Sequence, residues 1–151
     1  MTQAIRIATQ GHAATVVLNR PEVRNAIDLT MVEALHEVCA ELEAHPQVAI
    51  LTGTGGTFAA GADIGQLRER RRDDALAGIN SKIFSRILDL PMPVIGLIDG
   101  YALGGGAELA FACDFRIGTP ATKIGNPEPG LGILAAAGAA WRLRELVGEP
   151  R

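Results

Sequence analysis

Aromatic side chains are scarce in this chain: one Trp, one Tyr and four Phe make up 4% of 151 residues. Ala and Gly carry much of a composition that is 48% hydrophobic. So few rings among so many small residues suit a tightly wound α/β protein better than a β-sandwich. Cysteine is equally sparse. Cys39 and Cys113 have no ligand-like spacing, so they read as small buried hydrophobes in a reducing compartment. Positive charge is not in excess. The net charge of −3 and pI near 5.6 argue against a general nucleic-acid role. Long apolar runs are missing as well. The longest, Leu131 to Trp141, is too short to span a bilayer. Met1-Thr2-Gln3-Ala4 shows no basic region followed by an apolar stretch. A soluble cytoplasmic protein with no membrane partner is the expectation.

Several catalytic templates are also lacking. There is no phosphate loop of the Gly-Lys-Ser/Thr kind. Ser81 and Ser85 do not sit in a nucleophile elbow, and His12, His36 and His45 show no metal spacing. Gly130-Leu131-Gly132-Ile133-Leu134-Ala135 fits the dinucleotide fingerprint literally. Pro127 and Pro129, however, stand where its strand should be.

What is present alternates. Ile5-Arg6-Ile7 and Thr15-Val16-Val17-Leu18 predict a hairpin around Gln10-Gly11-His12. Asp28 is a candidate N-cap. Val32, Leu35, Cys39 and Leu42 recur at helical spacing, and this helix should end before Pro46. Val48 to Thr52 predicts a buried strand, and Gly53 to Thr57 a loop. Ile79 to Leu90 predicts a helix stopped by Pro91, and Pro93 to Ile98 a strand leading into a glycine run. Glu108 to Cys113 predicts a helix, Phe115 to Ile117 a strand, and Gly138 to Leu146 a last helix. Strands and helices alternate over residues 1–151 with no linker, which is α/β in class.

Two glutamates stand out. Glu108 closes the run Gly104-Gly105-Gly106-Ala107. The glycines have two readings: close packing of a helix start against a strand, or N–H groups left free for an anion or a developing oxyanion. A carboxylate in the first helical turn is favoured by the dipole, which would keep it ionised as a base requires. Glu128 lies in Asn126-Pro127-Glu128-Pro129-Gly130. It reads either as an exposed turn carboxylate or as an acid aimed by its prolines among Ile124, Leu131 and Ile133, where burial would raise its pKa. Gly61-Ala62-Asp63-Ile64 is either a tight turn with a cap or a place where backbone approaches a ligand. Arg68, Arg70, Arg71 and Arg72, followed by Asp73 and Asp74, form either a solvated helix face or a mobile segment that holds phosphates.

In combination these segments resemble the crotonase family, the enoyl-CoA hydratase/isomerase superfamily. Four matches carry the resemblance: Leu18-Asn19-Arg20-Pro21 with Asn25-Ala26; Phe58-Ala59-Ala60-Gly61-Ala62-Asp63-Ile64; Pro93-Val94-Ile95 through Gly100-Tyr101-Ala102-Leu103-Gly104-Gly105-Gly106-Ala107-Glu108 and on to Cys113-Asp114; and Pro127-Glu128 with Leu131-Gly132-Ile133. The resemblance implies a right-handed spiral of ββα turns that binds acyl-CoA. It implies an oxyanion hole made by the N–H groups of Ala62 and Gly105, and substrate contacts at Ala60, Ala62, Asp63, Ile64, Gly65 and Gly105. Glu108 and Glu128 match the two catalytic glutamates of the hydratases. Having both points to hydration of a 2-enoyl-CoA in fatty acid metabolism, with isomerisation as an alternative. It implies no metal and no cofactor beyond the coenzyme A of the substrate, and a homo-oligomer built on trimers.

Two departures qualify the resemblance. Where the family has a Pro-Gly-rich turn after Gly132-Ile133, this chain has Leu134-Ala135-Ala136-Ala137-Gly138-Ala139-Ala140, so the wall of the acyl pocket should differ. The sequence also stops at Arg151, ahead of the C-terminal helices that complete the family's spiral. That gives a second expectation, of a truncated non-catalytic relative or subunit fragment with apolar surface exposed around Trp141, Leu143 and Leu146.

Overall fold

The computed structural model describes residues 3–149. Met1 and Thr2, part of the segment read as lacking a leader, lie outside the described residues, as do Pro150 and Arg151. The hairpin forms as expected, from β1 (Ile5–Gln10) and β2 (Ala13–Leu18) in antiparallel register. Alternation along β2 buries Ala14, Val16 and Leu18 on one face.

The first helix, α1 (Leu29–Ala44), begins where the sequence places it. Asp28 Oδ1 accepts the Met31 N–H at 2.9 Å. Its buried stripe contains Val32, Leu35, Cys39 and Leu42, together with Met31 and Val38. Ahead of it, Asn25 is fully buried in a left-handed conformation. Its amide donates to the carbonyls of Thr54, Thr57 and Phe58 at 3.0, 2.8 and 3.2 Å. The turn after β2 is thereby fastened to the loop after the next strand.

From β3 (Val48–Gly53) onward the chain repeats one pattern. It enters a large sheet, then a small sheet, then a helical segment. β4 (Thr57–Ala59) follows β3, and the short helices α2 (Ile64–Glu69) and α3 (Arg72–Ala77) precede α4 (Ile79–Leu88). The second round is β5 (Val94–Ile98), β6 (Tyr101–Leu103) and α5 (Gly105–Ala112). The third is β7 (Phe115–Gly118), β8 (Lys123–Gly125), a single 3-10 turn at Glu128–Leu131 and α6 (Ala139–Val147). The large sheet has the order β1-β2-β3-β5-β7 and the small one β4-β6-β8, with every pair after the hairpin parallel. These are the ββα turns of the expected spiral.

The structure adds to or revises the sequence expectations at four points. β4, β6 and β8 have three residues each, too few to display a period. α2 and α3 bury none of their residues, so no apolar stripe announced them. α5 starts at Gly105 rather than Glu108. Glycine's poor helix propensity shifts a sequence-based boundary past residues that tertiary packing holds helical. Finally, Trp141 is 46% exposed as expected, but Leu143 and Leu146 are half-buried against Ala107, Phe111 and Ala139.

The main core joins Met31, Leu35, Phe58, Ile83, Phe84, Ile98 and Leu109 between the helices and the large sheet. Cys39 and Cys113 are buried in it. Desolvation pushes their thiols up to about 11 and about 12, which suits inert packing residues. Among the described residues, no helix is long and apolar enough to cross a membrane.

Candidate active site

The start of α5 leans directly on β4. A Cβ added to Gly106 would lie 2.1 Å from the Ala59 carbonyl oxygen, so only glycine permits this approach. The close-packing reading of the glycine run is therefore met at Gly106. A Cβ placed on Gly105 would lie 3.5 Å from the Ala62 backbone nitrogen, so the two residues are close neighbours. Ala62 is held from the other side, where the Ile27 N–H donates to the Gly61 carbonyl at 2.8 Å. Among the described residues neither Ala62 N–H nor Gly105 N–H has an acceptor. Gly105 opens its helix, so a free donor there is inherent to helical geometry.

Glu108 lies in the first turn of α5 and is 5% exposed. Its Oε1 accepts the N–H of Ala137 at 2.8 Å and of Ala139 at 3.1 Å, where the chain enters α6. Neither donor was legible in the sequence, where Leu134 to Ala140 read as an altered pocket wall. The available signal was Gly138 ahead of a helical stretch. The dipole of α5 is not the only influence on Glu108. Burial raises its pKa above the ordinary carboxylate value. The N–H groups of Ala139, Ala137 and Gly138 oppose the rise, and the charge of Glu128 adds to it.

Glu128 opens the 3-10 turn between Pro127 and Pro129. It is 7% exposed, so the reading of a solvated turn carboxylate does not hold. Its Oε1 lies 3.1 Å from the Cβ direction of Gly104, which adopts φ +52° just before α5. Its Oε2 is buried and has no hydrogen-bond partner among the described residues.

Ala62, Gly105, Glu108 and Glu128 all line one cavity of about 520 Å³, within the usual range for small-molecule sites. Leu67, Ala75, Ile79, Ile133, Leu134, Ala136 and Ala137 give it apolar walls. Arg70, Arg71, Arg72, Asp74 and Asn80 also reach it. The other proposed contacts, Ala60, Asp63, Ile64 and Gly65, do not line this cavity. The Asp63 carboxylate instead caps α2, accepting the Gln66 N–H at 2.8 Å, and Ile64 is 61% exposed. Among the described residues no cluster of three or more His, Cys, Asp or Glu could hold a metal.

The sequence model of the enoyl-CoA hydratase/isomerase family matches residues 8–151. The chain belongs to that family. The short-chain-enoyl-CoA hydratase of Clostridium acetobutylicum is 39% identical over 144 residues, an overlap of 92% of this chain and 55% of that protein. A crotonyl-CoA hydratase of Syntrophomonas wolfei is 38% identical over 140 residues, covering 89% and 54%. The crystal structure of an enoyl-CoA hydratase from Bacillus anthracis superposes with a TM-score of 0.92 at 34% identity, over 99% of this chain and 60% of that one. The chain thus spans a little over half the length of the curated relatives it matches. The crotonase-like fold and family membership rest on these matches, and the two-sheet spiral is common ground with them.

Proposed function

We propose that this family member adds water reversibly to a 2-enoyl-CoA thioester, giving a 3-hydroxyacyl-CoA. The carrying observation is that two buried carboxylates share one cavity with two adjacent, unengaged backbone N–H groups. In this reading the thioester oxygen lies between the N–H groups of Ala62 and Gly105. Glu108 takes a proton from a water whose oxygen bonds to C3. Negative charge moves to the thioester oxygen, where the N–H pair stabilises it. One such donor is typically worth about 10²–10³ in rate. Glu128 delivers a proton to C2. The proton gained by Glu108 balances the one lost by Glu128, and exchange with solvent resets the pair.

No metal or cofactor beyond the substrate's own coenzyme A enters the scheme. The setting that fits is fatty acid β-oxidation in the cytoplasm, with the chain acting in a homo-oligomer. The test is direct. Adding purified protein to crotonyl-CoA should remove the enoyl-thioester absorbance. A folded protein that leaves unchanged the absorbance of crotonyl-CoA and of a carboxylated enoyl thioester, glutaconyl-CoA, would defeat the hydratase reading in favour of a non-catalytic relative.

A further inference from the structure

The cavity contains a charge that the hydration chemistry does not use. Arg70 stands in extended conformation at the break between α2 and α3. It is half-buried, and its Nη2 donates to Asn80 Oδ1 at 3.0 Å. Asn80 is 8% exposed, on the second residue of α4. Among the described residues no carboxylate comes within ion-pair distance of Arg70. Its neighbours differ. Arg71 is exposed and turns its Nη1 to the carbonyls of Arg68 and Arg70, and Arg72 pairs with Asp73 in solvent. Asp74, which also reaches the cavity, accepts the backbone N–H of Arg71.

A guanidinium presents its donors in a planar fork, and Asn80 occupies only part of it. A partly desolvated cation braced by a neutral amide is short of a counter-charge. A carboxylate would meet the remaining donors with charge-assisted bonds.

We propose that Arg70, held by Asn80, is a specificity-determining anion subsite, and that the preferred thioester has an acyl chain bearing its own carboxylate. This rests on the reading of the cavity as an acyl-thioester site. The phosphates of coenzyme A are the other source of an anion. They travel at the far end of a long, hydrated arm, for which the exposed Arg71 and Arg72 are better suited. All three arginines line the space shared with Glu108, Glu128 and the N–H pair, but only Arg70 is half-buried there and held by a buried side chain, Asn80. A neutral chain of equal length would leave its charge unmatched, and discrimination follows from that mismatch.

The test is calorimetric binding of inert saturated thioesters, independent of turnover. Succinyl-, glutaryl- and adipyl-CoA are compared with butyryl-, pentanoyl- and hexanoyl-CoA, in the parent chain and in Arg70→Gln and Asn80→Asp. At least one carboxylated thioester should bind about tenfold to a hundredfold more tightly than its neutral counterpart. That ratio should fall to near one in Arg70→Gln. It should fall similarly in Asn80→Asp, where a built-in carboxylate occupies the fork. The same preference should persist on phosphate-free pantetheine thioesters. Absence of any preference in the parent overturns the proposal, as does a preference that Arg70→Gln leaves intact. A loss shared by both acyl classes that disappears on pantetheine carriers assigns Arg70 to a coenzyme A phosphate and also overturns it. If crotonyl-CoA and the carboxylated enoyl thioester glutaconyl-CoA are both inert while the Arg70-dependent preference is present, the subsite stands and the hydration reading falls.

Discussion

Glu108 and Glu128 are the same residue type, both more than nine-tenths buried and facing one cavity. Their surroundings differ. Glu108, on α5, accepts two backbone N–H groups on one oxygen, from Ala137 just ahead of α6 and from Ala139 at its first residue. Glu128 sits on a single 3-10 turn between prolines, with an oxygen that meets no donor. One carboxylate is therefore anchored by hydrogen bonds, and the other is aimed by backbone stiffness alone. An anchored group suits a task requiring a fixed direction, such as orienting water. A group with an unengaged oxygen suits delivering a proton. The pair teaches that equal burial does not give equal chemistry, because the partners of each oxygen decide what it can do.

This contrast can be broken in three ways. The largest effect concerns turnover. If both roles are required, Glu108→Gln and Glu128→Gln each lower kcat for crotonyl-CoA hydration by about 10²–10⁴. Near-normal kcat in either purified variant would leave only one of them a chemical role. The next effect concerns stability. Glu108→Ala orphans the N–H groups of Ala137 and Ala139, whereas Glu108→Gln keeps an acceptor for them. Urea melts should place the Ala variant about 1–3 kcal/mol below the Gln variant. Glu128→Gln removes no hydrogen-bond partner of the buried Oε2 and should match or exceed the parent. A large loss there would show that Glu128 is anchored after all.

The smallest effect concerns pH. Burial raises the folded-state pKa of Glu108 above its unfolded value near 4.5. Between those two values the folded chain binds more protons than the unfolded one, so this group's contribution falls as pH rises through the window. Below the window the contribution is fully restored. Melting temperatures of the parent and Glu108→Gln, followed from about pH 4 to pH 7, should diverge as pH increases, with the parent falling relative to the variant. Parallel curves would mean that the ionised form of Glu108 is not disfavoured by burial.

Legibility in the sequence followed the length of each element. α1 was readable because a capping aspartate, an apolar stripe and a following proline agree over sixteen residues. The three-residue strands of the small sheet had no such redundancy. Their existence depends on pairing with one another across long stretches of chain. The two glutamates were visible as residue types in unusual company. Their shared cavity was not derivable from spacing, since nineteen residues and two strands of different sheets intervene. It entered through resemblance, and the burial of Glu128 settled the choice between an exposed turn and an inward carboxylate. Arg70 was hidden inside a basic run. Which member of such a run faces inward depends on where α2 ends and α3 begins, and two six-residue helices without buried residues leave no trace of that boundary.

The contact between Gly106 and the Ala59 carbonyl has one more consequence. Where a Cβ would have 2.1 Å of room, there is no slack between α5 and β4. The jaw of the cavity that carries the N–H pair is gauged by the sheets and cannot yield to fit a larger guest. Adaptation to different acyl groups falls to the opposing jaw, the lightly packed stretch from Leu67 to Asn80. Exchanges in that stretch would retune which thioester enters while the reacting end stays in register.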